Sequence, residues 1–423
     1  MELIDRFKKD LTNYQIGIIV PGIAGILTIF VLKRFLGSAD FGLFSLRYNL
    51  ILLLATAALG WISQSILRFT HASKMNPGKF RNAIFILSSI MLIATSIIAG
   101  LSLVIFSDDG IMRIILFIIC FIFCGLQMVL LAYAQAGFYS RDLMITEILR
   151  TVSFLLLAVF TSLFIAEHAI EYILVSLAIS FFISSLLIAK RIGLKLKLSK
   201  SEFFSGKTKV YILQNFRYGW PLGVWFLIVY IMNYIEKPII ASIHGYASQG
   251  EYQVMFDLLS KGSGFVFTPV LFALFPILSN AIENNQHTEI NNILKRIIRI
   301  ELMILVISII FYWLIGFHLI SIVFKVPPLE KFKILGLILL ISSIIWQISQ
   351  VLHKPFELRK NTPAMLKGIS IALVIYLITL LLVWLLVPHI IYAFAFPFLF
   401  ACISYISFIL YNLNEKKMMT IKA

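Results

Sequence analysis

Charged side chains inside long apolar segments are the residues of this chain whose types could carry chemistry. Burying an ion in hydrocarbon costs at least about 2.5–3.5 kcal/mol, so such residues usually bind a solute, carry a proton or pair with one another. Three cations, Arg47, Lys237 and Lys261, are the candidate ligands for an anionic group. Two carboxylates, Glu236 and Asp257, are the candidates for carrying a proton or a sodium ion.

Structural roles compete with these chemical ones. Arg47 lies near the end of its segment, where a long stem can reach the interface. Asp257 and Lys261 are four residues apart, a spacing that allows a pair along one helix. Glu147 and Arg150 could likewise pair near the inner surface, and they are secondary candidates.

Neighbouring and uncharged polar residues add weaker signals. The adjacent Glu236 and Lys237 would point about 100° apart on a helix, so at least one should face the interior. Gln64 and Gln350 are secondary candidates, although hydrogen bonding between helices also explains amides in spans. Phosphate-loop, H-E-x-x-H and G-x-S-x-G motifs are absent. We therefore expect no enzyme, no metal and no cofactor, apart from H⁺ or Na⁺ as a coupling ion.

The composition determines which elements must position these residues. The 423 residues are 60% hydrophobic and 13% charged, whereas soluble domains are about 45–50% apolar and about 25% charged. A soluble or disordered chain is thereby excluded. At roughly 20 residues per span, the apolar residues suffice for about 12 transmembrane helices.

Apolar runs along the chain predict an all-α polytopic membrane protein with two six-helix lobes around a central cavity. Residues 1–189 form the predicted N-lobe, 190–215 a basic cytoplasmic linker, and 216–423 the C-lobe with a tail. The predicted spans are 14–36, 43–67, 82–106, 110–136, 143–166, 168–189, 216–241, 253–282, 296–324, 332–356, 361–386 and 389–411.

The net charge of +16 follows from this topology. Of the 36 Lys and Arg residues, 27 fall on the side of the N-terminus, six on the opposite side and three within spans. Such a bias predicts that both termini are cytoplasmic. It also argues against a nucleic-acid partner.

A short repeat supports the two-lobe interpretation. Residues 37–44 and 245–252 both read G-x-A-x-x-G-x-aromatic, at an offset of 208 residues. Each copy stands between the first two predicted spans of its half, where a tight reversal and a helix start are expected. A duplicated transporter architecture is therefore favoured.

Two motifs carry a family resemblance. Residues 34–46, RFLGSADFGLFSL, are similar to the pattern that follows the first span of polysaccharide exporters. Residues 218–223 with 233–240, followed by Gly250-Glu251-Tyr252, resemble the seventh helix of that family. The chain thus resembles the polysaccharide-transport branch of the multidrug/oligosaccharidyl-lipid/polysaccharide exporter superfamily, most of all the Wzx O-antigen flippases. Relatives commonly have Asp-Arg where this chain has Glu236-Lys237, so the bidentate guanidinium is missing.

The resemblance implies translocation of an undecaprenyl-diphosphate-linked oligosaccharide across the bacterial inner membrane, from the cytoplasmic to the periplasmic leaflet, by alternating access. It implies the bilayer, the lipid-linked glycan and other membrane proteins of polysaccharide assembly as partners, with a monomer as the functional unit. A cation-coupled multidrug exporter of the same superfamily is the first alternative. A membrane polysaccharide polymerase is the second, although the chain lacks a large periplasmic loop.

Overall fold

Helices account for all regular structure in the described part of the chain. The computed structural model describes residues 2–70, 77–106, 110–137, 139–164, 169–193, 206–283, 287–358 and 361–414. A π-helix, Tyr312–Gly316, joins α8 to α9, and a 3₁₀-helix, Ile391–Ala395, precedes α12. The α-helices are α1 (Glu2–Phe69), α2 (Pro77–Phe106), α3 (Ile111–Ala136), α4 (Ser140–Phe164), α5 (Ala169–Arg191), α6 (Gly206–Met232), α7 (Glu236–Glu283), α8 (His287–Phe311), α9 (Phe317–Phe324), α10 (Glu330–Leu358), α11 (Thr362–Leu386) and α12 (Phe396–Asn414).

Ten helical segments among the described residues are long and apolar enough to cross a membrane. The prediction of an all-α, multi-pass membrane protein is confirmed. Two segments, Gln15–Phe69 with 55 residues and Val210–Phe267 with 58, far exceed the roughly 20 residues of one crossing. The count of twelve spans stays a prediction.

One predicted helix is wrong in its last third. A continuous span was expected over 216–241, but α6 ends at Met232 and α7 begins at Glu236, after a turn at residues 233–235. Pro238 explains the break, because its ring would collide with the carbonyl four residues earlier, at Tyr234. That carbonyl instead accepts a hydrogen bond from the Lys237 amide at 3.0 Å. Glu236 therefore starts a helix rather than ending one.

The chain divides into two compact units. Unit 1 comprises residues 1–36 and 44–230, and unit 2 comprises residues 37–43 and 231–423. In unit 1, α3 packs against α2 and α5, and α5 also packs against α4. In unit 2, α10 packs against α7 and α12, and α12 packs against α11. The division into lobes and linker stays a prediction, and linker residues 194–205 and tail residues 415–423 lie outside the described residues.

The two copies of the sequence repeat have the same backbone conformation. Gly37 interrupts α1 with φ 77° and ψ 178°, and Gly245 interrupts α7 with φ 80° and ψ 163°. This region of backbone space is essentially restricted to glycine. The first glycine of each repeat therefore allows a helix to stop and restart at once.

The second glycines allow the two copies to touch within unit 2. A Cβ on Gly42 would overlap the carbonyl oxygen of Tyr246, and a Cβ on Gly250 would overlap that of Ser38. The contact is reciprocal, because Ser38 and Tyr246 are equivalent positions of the repeat. A hydrogen bond of 2.7 Å from Ser38 Oγ to Glu251 Oε1 adds to it.

Replacing the first glycines should destabilise the protein through backbone strain alone. Neither Gly37 nor Gly245 has an atom within 4 Å of the position of an added Cβ. We expect Gly37→Ala and Gly245→Ala each to cost about 1–3 kcal/mol, measured as a lower thermal unfolding midpoint in detergent. Gly25→Ala and Gly262→Ala are matched controls, since they have equal space and no positive φ. Equal midpoints for all four variants would contradict this explanation.

Candidate functional site

The start of α7 holds a buried carboxylate that two tyrosines bind. Glu236 is 1% exposed, and its carboxylate accepts hydrogen bonds from Tyr376 of α11 and from Tyr252, later in α7, the latter at 3.5 Å. The positive end of the helix dipole also favours an acidic residue at this position. Pro238 suits the first turn because its missing N–H would have no partner there. Two phenols and the helix dipole thus stabilise the Glu236 carboxylate.

Lys237 lies beside this carboxylate and is equally enclosed. Its side chain is 1% exposed, and its Nζ sits 4.0 Å from the centre of the Phe256 ring. A cation over an aromatic face is attracted by the ring quadrupole, most strongly where water is excluded. At least one of the two adjacent residues was expected in the interior, and both Glu236 and Lys237 are buried.

The remaining pair of unit 2 is more open. Asp257 Oδ2 and Lys261 Nζ are 3.7 Å apart on successive turns of α7, with side chains 21% and 39% exposed. Glu236, Asp257 and Lys261 all act electrostatically on Lys237. The structure therefore brings four of the predicted residues into one cluster, which we call the α7 charge cluster: Glu236, Lys237, Asp257 and Lys261.

Two candidates of unit 1, Glu147 and Arg150, form a network of their own. Arg150 donates to Glu147 from Nη2 at 2.8 Å, and Gln127 of α3 donates to the same carboxylate at 3.3 Å. The Arg150 guanidinium also lies 5.6 Å from the Phe181 ring centre in α5. This network ties α3, α4 and α5 together. Arg47 is half-buried in the second part of α1.

The two candidate glutamines, Gln64 and Gln350, lie outside both groups of charged residues. Gln64 is half-buried on α1. Gln350 is half-buried on α10, and its Nε2 atom is enclosed without a hydrogen-bond partner among the described residues. Neither belongs to the α7 charge cluster or to the Glu147 network.

Three further residues carry polar chemistry that the sequence argument did not single out as candidates. Tyr252 and Tyr376 bind Glu236, and phenols within apolar helices were the signal that could have identified them. Glu301 in α8 is 1% exposed. Its two carboxylate oxygens have no hydrogen-bond partner in the part of the chain that the structure describes. Such a group is costly to keep charged.

The α7 charge cluster can perform two kinds of chemistry. Lys261 is partly exposed, so it can pair with an anionic solute in exchange for Asp257. The Glu236 carboxylate with its phenols can hold a proton or a small cation, because the oxygens are fixed and shielded from water. Groups of three or more side chains suited to a metal ion do not occur among the described residues.

Comparison with known proteins places the chain in a sequence family. The family described as "Polysaccharide biosynthesis protein" matches residues 8–282. None of the curated protein sequences compared with the chain matches it significantly.

Solved structures share the fold at low sequence identity. The inward-facing conformation of a multidrug resistance MATE family transporter of the MOP superfamily has a TM-score of 0.75 at 12% identity, covering 98% of this chain and 100% of that one. The outward-facing conformation of a multidrug resistance MATE family transporter of the MOP superfamily has a TM-score of 0.67 at 13% identity, covering 97% of this chain and 97% of that one. A MOP superfamily transporter from Pyrococcus furiosus, described as having a binding pocket of reversed polarity, gives 0.66 at 13%, covering 96% and 94%. The chain therefore has the fold of these solved structures.

The tyrosines should stabilise the protein through Glu236. We expect Tyr376→Phe to lower stability by about 1–2 kcal/mol, because a buried carboxylate loses a donor. Tyr252→Phe should cost less, since its 3.5 Å hydrogen bond is at the limit of useful geometry. Thermal unfolding in detergent measures both. In a Glu236→Gln background the difference between Tyr376→Phe and its parent should shrink, and an unchanged difference would refute this coupling.

Proposed function

Because the chain belongs to the polysaccharide biosynthesis protein family, we propose that it flips an undecaprenyl-diphosphate-linked oligosaccharide from the cytoplasmic to the periplasmic leaflet of the bacterial inner membrane. The substrate is an O-antigen or a related polysaccharide repeat unit. The chain is a membrane transporter of the MOP superfamily and not an enzyme. The resemblance seen in residues 34–46 and 218–252 is confirmed at the level of the family.

The family match over residues 8–282 is the observation that carries the proposal. It includes the α7 charge cluster and every other candidate residue except Gln350, which lies beyond residue 282. A chain that belongs to a polysaccharide biosynthesis family and has a transporter fold is expected to move a glycan across the membrane. Glycans of bacterial envelopes cross as amphiphiles, with an anionic diphosphate between sugar and lipid.

Basic residues within the membrane match the charge of that diphosphate. A diphosphate that leaves the interface needs cations along its path, because hydrocarbon does not solvate it. Lys261, with a side chain 39% exposed, and the half-buried Arg47 are the cations that a substrate can reach directly. Lys237 is enclosed against Phe256, so it acts on the substrate through its field or after a conformational change.

Orientation and driving force agree with export. The excess of basic residues on one side favours cytoplasmic termini. An inside-negative potential then favours outward movement of an anion by about 2.3 kcal/mol per charge per 100 mV. We propose alternating access between the predicted lobes, with the polyprenyl tail remaining in lipid while the head group passes.

A coupling ion would bind at Glu236 or Asp257. Both carboxylates belong to the α7 charge cluster, where protonation changes the charge that acts on Lys237. Glu236 is sealed from solvent and held by phenols, whereas Asp257 is 21% exposed and paired with Lys261. Binding of an ion at Glu236 or Asp257 would therefore change the electrostatic environment of the lysines of the cluster.

A cation-coupled drug exporter of the same superfamily is the second candidate. The multidrug resistance transporter with a TM-score of 0.75 favours it. A cationic drug calls for acidic groups at its binding site, whereas the candidate set in the spans contains both signs. The same variants tested for drug resistance and for surface polysaccharide distinguish the two functions.

Replacing the intramembrane cations should impair glycan export. We expect Arg47→Ala and Lys261→Ala to reduce surface polysaccharide in a flippase-deficient strain by at least tenfold, because each removes a charge-assisted contact worth about 1.5–3 kcal/mol. Lys237→Met should also reduce it, with a smaller loss of folding than a change that opens a void. Gel analysis of the polysaccharide at matched protein amounts is the measurement.

Lys295→Ala is the matched control, since this exposed lysine lies outside the α7 charge cluster on α8. It should export normally. Normal export by all three cation variants would make the basic-path mechanism wrong. Drug sensitivity without loss of polysaccharide would instead favour the second candidate.

Neutralising the coupling carboxylate should remove the dependence on an ion gradient. In proteoliposomes with a fluorescent polyprenyl-diphosphate glycan, an imposed proton or sodium gradient should accelerate flipping by the unmodified protein. Glu236→Gln or Asp257→Asn should flip at one rate with and without the gradient. Glu171→Gln is a control carboxylate, because Glu171 pairs with Arg113 in unit 1 at 2.6 Å. Acceleration that persists in both variants would exclude these residues as the coupling site.

A further inference from the structure

A cavity in unit 1 lies between α2, α3 and α5, and its lining includes none of the candidate residues discussed above. Its volume is about 270 Å³. The lining is almost entirely apolar and includes Leu92, Leu126 and Phe182. Ligand pockets usually exceed about 300 Å³, so this cavity suits part of a long molecule rather than a whole one.

Four polar atoms along this cavity have no hydrogen-bond partner among the described residues. They are Arg81 Nε, Ser88 Oγ, Tyr133 Oη and Ser185 Oγ, and all four are buried. Ser88 and Ser185 are 5% and 2% exposed as residues. Buried donors without acceptors are costly, and each such group in a native protein calls for a partner. One guanidinium, one phenol and two hydroxyls are the donors that an anionic oxygen would satisfy.

Two of the four polar groups, Arg81 and Tyr133, lie toward one end of the cavity. Arg81 is in the second turn of α2, and Tyr133 is in the last turn of α3, so both lie at the same end of the helical layer. Leu92 is eleven residues further along α2, roughly 16 Å deeper. The guanidinium and the phenol are therefore nearer to the membrane interface, and Leu92 is nearer to the membrane centre.

The mouth of the cavity opens on the apolar outer surface. Phe182 and Leu186 of α5 line it and are 42% and 54% exposed. Exposed apolar side chains on a transmembrane helix contact lipid tails. A lipid can thus enter sideways from the surrounding leaflet without passing through the protein.

We propose that this cavity is a binding site for an anionic phospholipid of the leaflet in which α2 begins. The phosphate accepts hydrogen bonds from Arg81 and Tyr133, and part of one acyl chain lies against Leu92, Leu126 and Phe182. A single guanidinium matches a single phosphodiester, and basic pockets between transmembrane helices are a recurrent form of lipid site. The occupant is a membrane phospholipid because a phospholipid has this sequence of charge and apolar chain and surrounds the mouth.

A bound phospholipid would stabilise unit 1. The lipid would satisfy the donors of Arg81 and Tyr133 and fill a void between three helices, both of which stabilise a packed layer. The residues that line the site all belong to unit 1, and none of them belongs to the α7 charge cluster, so its occupation would act on the stability of unit 1.

Photo-crosslinking in liposomes tests the proposal. The full chain is reconstituted in phosphatidylcholine containing a phosphatidylglycerol probe with a diazirine in its acyl chain, irradiated and mapped by mass spectrometry. We expect adducts on Leu92, Leu126 or Phe182. Arg81→Gln should reduce them about tenfold, because a charge-assisted hydrogen bond to phosphate is lost. Ser185→Leu should reduce them equally by filling the cavity, and it serves alone if Arg81→Gln fails to fold.

Arg141→Gln is the matched control, since Arg141 is exposed at the start of α4 and outside the cavity. It should leave the adducts unchanged. Equal labelling of these residues by a phosphatidylcholine probe, or labelling that neither Arg81→Gln nor Ser185→Leu reduces, overturns the proposal. Displacement of the phosphatidylglycerol probe by an equimolar polyprenyl phosphate would overturn the choice of phospholipid as the occupant.

Discussion

Hydrocarbon offers no hydrogen-bond partner to the backbone, so every segment that crosses the bilayer has to satisfy its own amides. This constraint explains why the described chain is helical and why its interruptions are so short. Gly37 and Gly245 break a helix at a single residue. In the turn at 233–235 the amides of Tyr234 and Ile235 donate to the Ile231 carbonyl, and the Tyr234 carbonyl accepts from the Lys237 amide. Gly37 and Gly245 can adopt the positive φ that these breaks need, and Pro238 has no backbone N–H that requires an acceptor.

The same constraint applies to polar side chains. Glu236 is fully enclosed, yet both carboxylate oxygens have phenolic donors from separate helical segments. The α7 charge cluster thus depends on the packing of α11 and on the helix break that sets Glu236 at the start of α7. The hydrogen bonds that would set the chemistry of Glu236 are therefore the same ones that stabilise the fold around it.

Unit 1 uses polar groups differently from unit 2. The pair Glu147 and Arg150 with Gln127 connects three helices and is internally satisfied. The cavity lined by Arg81 and Tyr133 has donors that the described residues leave without acceptors. Satisfied networks stabilise a helical layer, whereas unsatisfied donors at the interface create a place for an external anion.

The sequence by itself determined the membrane class, the helical fold, the repeat and the family. These follow from composition, from local apolar runs and from a glycine spacing, which are properties of single segments. It also indicated which charges lie in the membrane. Only the tertiary structure decided that Lys237 is enclosed while Lys261 is partly open, and that Tyr252 and Tyr376 hold Glu236. It also decided that the two glycine repeats touch. The physical reason is that these contacts join residues far apart in the sequence, 140 positions for Glu236 and Tyr376 and 213 positions for Ser38 and Glu251. The apolar periodicity of a helix does not specify which helix packs beside it.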